Sequence, residues 1–218
     1  MNKRSIVTLA ICFAIFLAAV IGFVSLADEV HEGETLAFDQ SVLQAINTTA
    51  SPAWDTFYLT ITQLGSVAGI ITLTLIGLAV FIKKKKYTWA VILAASVAGA
   101  AIINLVLKLI FERSRPDLWE QLVTETSYSF PSGHAMISSM LAFALIAIAW
   151  RTRYSIAVTI AALLFMVLVS FSRLYLGVHY PTDILAGWLV SAAWLFVVLA
   201  VVRGWVYRRT TEKSSVTG

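Results

Sequence analysis

Charge is scarce in this chain. Lys, Arg, Asp and Glu supply 13% of its 218 residues, hydrophobic residues supply 59%, and the mean hydropathy is +0.84. Soluble domains carry about a quarter charged residues, and a surface this poor in charge would expose large apolar patches to water. A water-soluble fold is therefore excluded, and neither a nucleic-acid partner nor an obligate protein partner is expected. Cysteine is nearly absent too. Cys12 stands alone, so no intramolecular disulfide can form, and its place in an apolar stretch reads as a small buried residue. Also missing are the short alternating polar-apolar runs of a membrane β-barrel, as well as internal repeats and low-complexity tracts. What is present in quantity is uninterrupted apolar sequence, and the expected fold is all-α.

A helix needs about 20 mainly apolar residues to cross a bilayer. Six stretches approach or exceed that length, at roughly residues 5–27, 54–82, 87–111, 133–150, 154–172 and 182–207. They predict a polytopic bundle of six transmembrane helices forming one membrane-embedded domain over residues 1–218. The second stretch is too long for one perpendicular helix and is expected to kink near Gly65-Ser66 or to project from the bilayer. The first is too long for the h-region of a signal peptide, about 7–15 residues, and reads as a retained helix. The polar tail from Arg208 onward is expected to fray.

Lys and Arg in short loops set orientation. Lys3 and Arg4, Lys83 to Lys86, Arg151 and Arg153, and Arg203, Arg208, Arg209 and Lys213 fall at alternate span ends, so one face holds them all. The rule makes that face cytoplasmic, with both termini inside. The opposite, extracytoplasmic face receives eleven of the twelve acidic residues and only four of the sixteen basic ones: Lys108, Arg113, Arg115 and Arg173. Those four oppose the trend and need another reason to be there.

Two of the three histidines lie in the same outer loops. Between the third and fourth spans stand Lys108, Arg115-Pro116 and Pro131-Ser132-Gly133-His134. Between the fifth and sixth stand Ser172-Arg173, His179 and Asp183. Each type suits phosphoryl chemistry. Guanidinium groups bind phosphate bidentately, which Arg115 and Arg173 can do, and Lys108 adds a point charge. Ser132 and Gly133 open a helix whose free N–H groups and dipole attract an anion. Asp183, four residues after His179 at a helix start, can hold one imidazole nitrogen and leave the other free to attack phosphorus. His134 can protonate the leaving oxygen and then activate water.

With these residues in place, the chain resembles the type 2 phosphatidic acid phosphatase superfamily, which covers membrane lipid phosphatases and vanadium haloperoxidases. KLIFERSRP (108–116), PSGH (131–134) and SRLYLGVHYPTD (172–183) match its K-x6-R-P, P-S-G-H and S-R-x5-H-x3-D signatures at every fixed position. The resemblance implies an extracytoplasmic active site and hydrolysis of a lipid phosphomonoester or diphosphate through a phosphohistidine. It implies His179 as nucleophile, Asp183 as its partner and His134 as general acid. Lys108, Arg115, Ser132, Gly133 and Arg173 become the phosphate ligands, and no metal or other cofactor is needed. The expected partners are membrane lipids and a lipid phosphate in the outer leaflet of a bacterial plasma membrane. Candidate substrates are undecaprenyl diphosphate, slightly favoured, phosphatidylglycerol phosphate and phosphatidate. The competing readings are a vanadate-loaded haloperoxidase, against which the apolar spans speak, and a non-catalytic membrane protein, against which the intact histidines speak.

Arg113 is not a fixed motif position and is left as an auxiliary phosphate contact. Ser172 and Asn104 read as structural, and His31 as solvated. Val42, Leu43 and Ile46 behind a possible Asp39 cap predict a short interfacial helix over 39–47, and Ser51-Pro52 a capped helix start before the interfacial Trp54.

Overall fold

The computed structural model describes the backbone of residues 3–216 and the side chains of residues 10–205. The helices are α1 (Lys3–Glu32), α2 (Leu36–Asn47), α3 (Pro52–Leu64), α4 (Val67–Lys83), α5 (Tyr87–Phe111), α6 (Gly133–Ala149), α7 (Ser155–Tyr175) and α8 (Pro181–Val216), with no strand among the described residues. The all-helical expectation holds. By length and apolarity, four segments can cross a membrane: Ala10–Glu32, Tyr87–Phe111, Ser155–Tyr175 and Pro181–Trp205. The pair α3 and α4 makes a fifth if counted as one bent span, and α6, at 17 residues, is shorter. The helix α8 continues through most of the tail expected to fray. The basic side chains of Lys3, Arg4, Arg208, Arg209 and Lys213 lie outside the described residues.

The long second stretch bends by 50° between Leu64 and Val67, where the Gly65-Ser66 pair predicts a kink. The Ser66 hydroxyl accepts from the Gly69 N–H at 3.2 Å and starts α4 afresh. Gly65 allows the elbow to lie against its neighbours, because a Cβ there would stand 2.2 Å from Val169 Cγ1 and 3.2 Å from His134 Cδ2. Ser51 caps α3 with Pro52 in the first turn, as its sequence suggests.

The helix α6 runs through the middle of the bundle, packed by α4, α5, α7 and α8, while α1 lies along α8. Ile70, Leu93, Ala100, Met136, Met140, Leu141, Ala144 and Val190 form the largest buried cluster. Lipid tails are as apolar as these side chains, so close backbone approach and interhelical hydrogen bonds carry more of the packing than in water. Ser139 bonds Ser191 at 3.0 Å, and Ser191 also donates to the Met136 carbonyl at 2.7 Å. Trp188 Nε1 donates to Ser170 Oγ at 3.0 Å and Trp194 Nε1 to the Ala95 carbonyl at 3.2 Å. Cys12 is exposed on α1, not buried as its sequence setting suggested; α1 covers α8 with one face only and leaves the other outward.

The short helix near residues 39–47 exists, but it begins at Leu36 with Thr35 in the cap position. Asp39 is therefore a first-turn residue, and it is completely buried. A carboxylate buried that far must be paired.

Candidate active site

Three separate ends of helices converge on one cavity of about 420 Å³. Lys108, in the last turn of α5, sends Nζ to Ser127 Oγ at 2.9 Å and to the Tyr128 carbonyl at 2.5 Å. Gly133 and His134 open α6, and both line the cavity. Asn104, one turn before Lys108, donates to the Pro131 carbonyl at 3.0 Å and secures this helix start. A side chain at Gly133 would press on Asn104 Oδ1.

His179 comes from the turn between α7 and α8. Gly177, at φ +68°, lets the chain reverse there, and a Cβ on it would strike the Trp119 ring at 2.7 Å. The reversal buries every residue from Tyr175 to Ile184. Asp183 then sits in the first turn of α8 and accepts from the Tyr180 N–H at 2.8 Å with Oδ2, reaching back to the residue ahead of the helix as a capping acid does. The same oxygen lies 3.3 Å from His179 Nδ1 and accepts from Ser129 Oγ.

The opposite ring nitrogen, Nε2, lies 3.1 Å from Arg115 Nη1. A guanidinium can only donate, so Nε2 is the acceptor and Nδ1 carries the hydrogen toward Asp183. Burial first, and then the positive charges of Arg115, Arg173 and Lys108, hold His179 well below the ordinary histidine range. It is a neutral imidazole with a lone pair at Nε2. Arg115 is fixed by the Ser127 carbonyl at 2.8 Å and the Val178 carbonyl at 2.7 Å.

Arg173, in the last turn of α7, is 2% exposed. It meets the cavity through Glu125, which lines it, with Nη1 donating to Thr62 Oγ1 at 2.7 Å, Nη2 paired with Glu125, and Nε without a hydrogen-bond partner. Glu125 also reaches Arg115 Nη2 at 3.6 Å, so one carboxylate spans two guanidinium groups.

Six of the expected residues thus gather around His179: Lys108, Arg115, Gly133, His134, Arg173 and Asp183. Ser132 differs. Its hydroxyl is fully buried, does not line the cavity, and accepts from the Ala135 N–H at 3.4 Å as the cap of α6. Ser172 holds the end of α7 through the Val169 carbonyl at 2.6 Å, in keeping with a structural reading, and His31 is exposed. Glu125, Ser127 and Ser129 are absent from the sequence reading, since a loop acid or serine carries no spacing signal of its own.

The three-motif geometry has a counterpart in known proteins: residues 89–207 match the PAP2 superfamily. The chain belongs to that superfamily. It is 34% identical over 183 residues to phosphatidylglycerophosphatase B of Bacillus subtilis, covering 81% of this chain and 89% of that one. It is 32% identical over 142 residues to an undecaprenyl-diphosphatase of Sulfolobus acidocaldarius, covering 55% and 66%. The crystal structure of a transmembrane PAP2-type phosphatidylglycerolphosphate phosphatase from Bacillus subtilis superimposes with a TM-score of 0.75 at 30% identity, over 88% of this chain and 96% of that one. As a PAP2 protein of long apolar helices whose relatives are phosphatases, the chain is a membrane-embedded lipid phosphatase.

Proposed function

We propose that the chain acts as a single membrane-embedded domain. It removes a terminal phosphate from a lipid on the extracytoplasmic side of a bacterial plasma membrane, with His179 as nucleophile. One observation carries the reading of the substrate. The cavity that exposes Lys108, Arg115, Gly133, His134 and His179 continues into an apolar wall of Ile70, Ile71, Val97, Leu105 and Ile137 from α4, α5 and α6. Such a space suits a ligand with a phosphate at one end and hydrocarbon at the other.

In the proposed reaction, Arg115 Nη1 moves its hydrogen bond from His179 Nε2 to a phosphate oxygen, and the freed Nε2 lone pair attacks phosphorus as the bond to the lipid oxygen breaks. His134 gives that oxygen a proton, and the developing imidazolium is balanced by Asp183. Lys108, Arg115 and Arg173 stabilise charge on the equatorial oxygens, with N–H groups at the α6 start assisting. Ser132 serves by shaping that start. His134 then takes a proton from water, which attacks the phosphohistidine; inorganic phosphate leaves and His179 is regenerated. Lys108, Arg115 and Arg173 supply the positive charge that a divalent metal would otherwise bring to the phosphate, so this scheme uses none. Likeness to a phosphatidylglycerophosphatase puts phosphatidylglycerol phosphate ahead of undecaprenyl diphosphate, which the sequence alone slightly favoured.

Phosphate release by the purified protein from phosphatidylglycerol phosphate, undecaprenyl diphosphate and phosphatidate tests the substrate. Release should be fastest from the first and unchanged by EDTA. No release from any lipid, or an EDTA loss that magnesium restores, would overturn the scheme.

The six-span topology rests on the alternation of basic loops, with α3–α4 as one bent span and α6 as a short one buried among its neighbours. Thr124→Cys in a Cys12→Ser background should react with an impermeant thiol reagent added outside intact cells. Labelling only after the cells are opened would reverse the orientation.

A further inference from the structure

Arg113 does not face the cavity. Its guanidinium bridges two carboxylates, with Nη1 on Asp183 Oδ1 at 2.6 Å and Nη2 on Asp39 Oδ2 at 2.7 Å. Both carboxylates are completely buried and the Arg113 side chain is 12% exposed. The ring of Tyr180 lies beneath the guanidinium at 4.2 Å. Asp39 is held in turn by α8, accepting from the Thr182 N–H at 3.1 Å and from Thr182 Oγ1 at 2.6 Å. The first turn of α2 is thereby locked onto the first turn of α8, with the arginine between them.

A carboxylate can turn about its Cβ–Cγ bond, and it orients an imidazole only when its second oxygen is fixed. Asp183 uses Oδ2 for His179, Ser129 and the Tyr180 N–H, and Arg113 takes Oδ1. Asp39 fixes Arg113, because a guanidinium with one arm free could swing toward water. Taken by themselves, two carboxylates and one guanidinium carry one net negative charge, which offsets part of the positive field of Arg115, Arg173 and Lys108 as the imidazolium forms during attack. The helix α2 carries none of the three motifs, yet it supplies the outer end of this chain of contacts.

We propose that Arg113 and Asp39 are positioning residues for the His179–Asp183 pair, acting on the chemical step and not on phosphate binding. This rests on the reading of His179 as nucleophile. Partners that orient metal-ligating side chains are typically worth about 10–100-fold in activity when removed, and an effect of the same order is expected for partners that orient a nucleophile. A residue that merely tied α2 to α8 would change stability instead.

The test uses full-length protein in detergent and phosphate release from dioctanoyl phosphatidate, in a cycle of Arg113→Gln, Asp183→Asn and the double variant. Arg113→Gln should lower kcat by about 10–100-fold with KM within about twofold of wild type. Asp39→Asn should act in the same direction. Placed on Asp183→Asn, Arg113→Gln should cost less than about twofold more, since its target is already lost. Arg113→Lys keeps the charge but offers no fork for two carboxylates. It should fall between wild type and Arg113→Gln, and it carries the same cycle if the glutamine variant does not fold. Wild-type kcat in Arg113→Gln, a rise in KM alone, or an equal cost in both Asp183 backgrounds would overturn the proposal. Full activity in Asp183→Asn would overturn the reading of the His179–Asp183 pair as well, whereas an impaired Asp183→Asn beside an unaffected Arg113→Gln removes only the role of Arg113 and Asp39.

Discussion

His179→Ala is expected to reduce kcat by roughly 10⁴-fold or more while the protein still folds and inserts. The expectation follows from where the ring sits. Nδ1 is engaged by Asp183 Oδ2, Nε2 is turned toward Arg115, and the residue lines the cavity. Among the described residues, no other side chain that lines the cavity pairs an imidazole with an orienting carboxylate, so none is placed to take over the attack. Water attacking directly would still meet the basic cluster, which sets the floor of the residual rate. His179→Asn is the companion variant, because it fills more of the 1% exposed site than alanine does. Both should unfold cooperatively on heating in the same detergent. A labelled phosphate on wild-type protein, stable in base, labile in acid and absent from both variants, would identify the phosphohistidine. More than a tenth of wild-type kcat in His179→Ala would remove this residue as the nucleophile.

Much of that site is legible in the sequence because its parts repeat a strict internal spacing. His179 and Asp183 are one helical turn apart, with Pro181 opening the helix between them, and that spacing already places a carboxylate at a helix start beside an imidazole. The elbow at Gly65-Ser66 is legible for a similar reason, since a capping serine after a glycine ends one helix and begins another. Composition alone identifies the apolar bundle.

What the sequence conceals is pairing between distant segments. Asp39 and Arg113 are 74 positions apart, and neither shows in local periodicity that it meets the other. Asp39 looked like a cap because its neighbours are helical. Its burial comes from α8, which arrives more than a hundred residues later. Arg113, outside the fixed motif positions, reads from the sequence only as an auxiliary phosphate contact, but a two-residue step in the irregular segment after α5 turns its guanidinium and that of Arg115 to different partners. Ser132 reads from its motif as a phosphate ligand, and what its spacing does not reveal is that its hydroxyl also caps α6 by accepting from the Ala135 N–H. Glu125 sits in a loop rich in polar residues, where one acid resembles any other until Arg173 is seen beneath it.

Arg173→Lys is expected to lower kcat/KM by about 10²-fold, a second large effect despite an unchanged formal charge. Three properties of Arg173 lead there. It is 2% exposed, so its charge is poorly screened and acts strongly on a neighbouring anion. Thr62 and Glu125 hold its two Nη atoms, which fixes the plane of the fork. Its Nε has no hydrogen-bond partner, and a buried donor left unpaired costs about 1–3 kcal/mol. A substrate phosphate that displaced Glu125 would offer this fork several oxygens at once. Lysine would present a single point charge from a longer, looser stem and could not reproduce that geometry. Glu125→Gln separates the two meanings of the contact. If Arg173 served only to tie down the loop through Glu125, the glutamine variant would show the same loss. If Arg173 binds phosphate, Glu125→Gln should keep most of the activity and lower KM, since a neutral amide competes less well for the guanidinium groups. Arg173→Lys within about threefold of wild type would take Arg173 out of the phosphate clamp and leave the charge on the transferring phosphoryl group to Lys108, Arg115 and the α6 start.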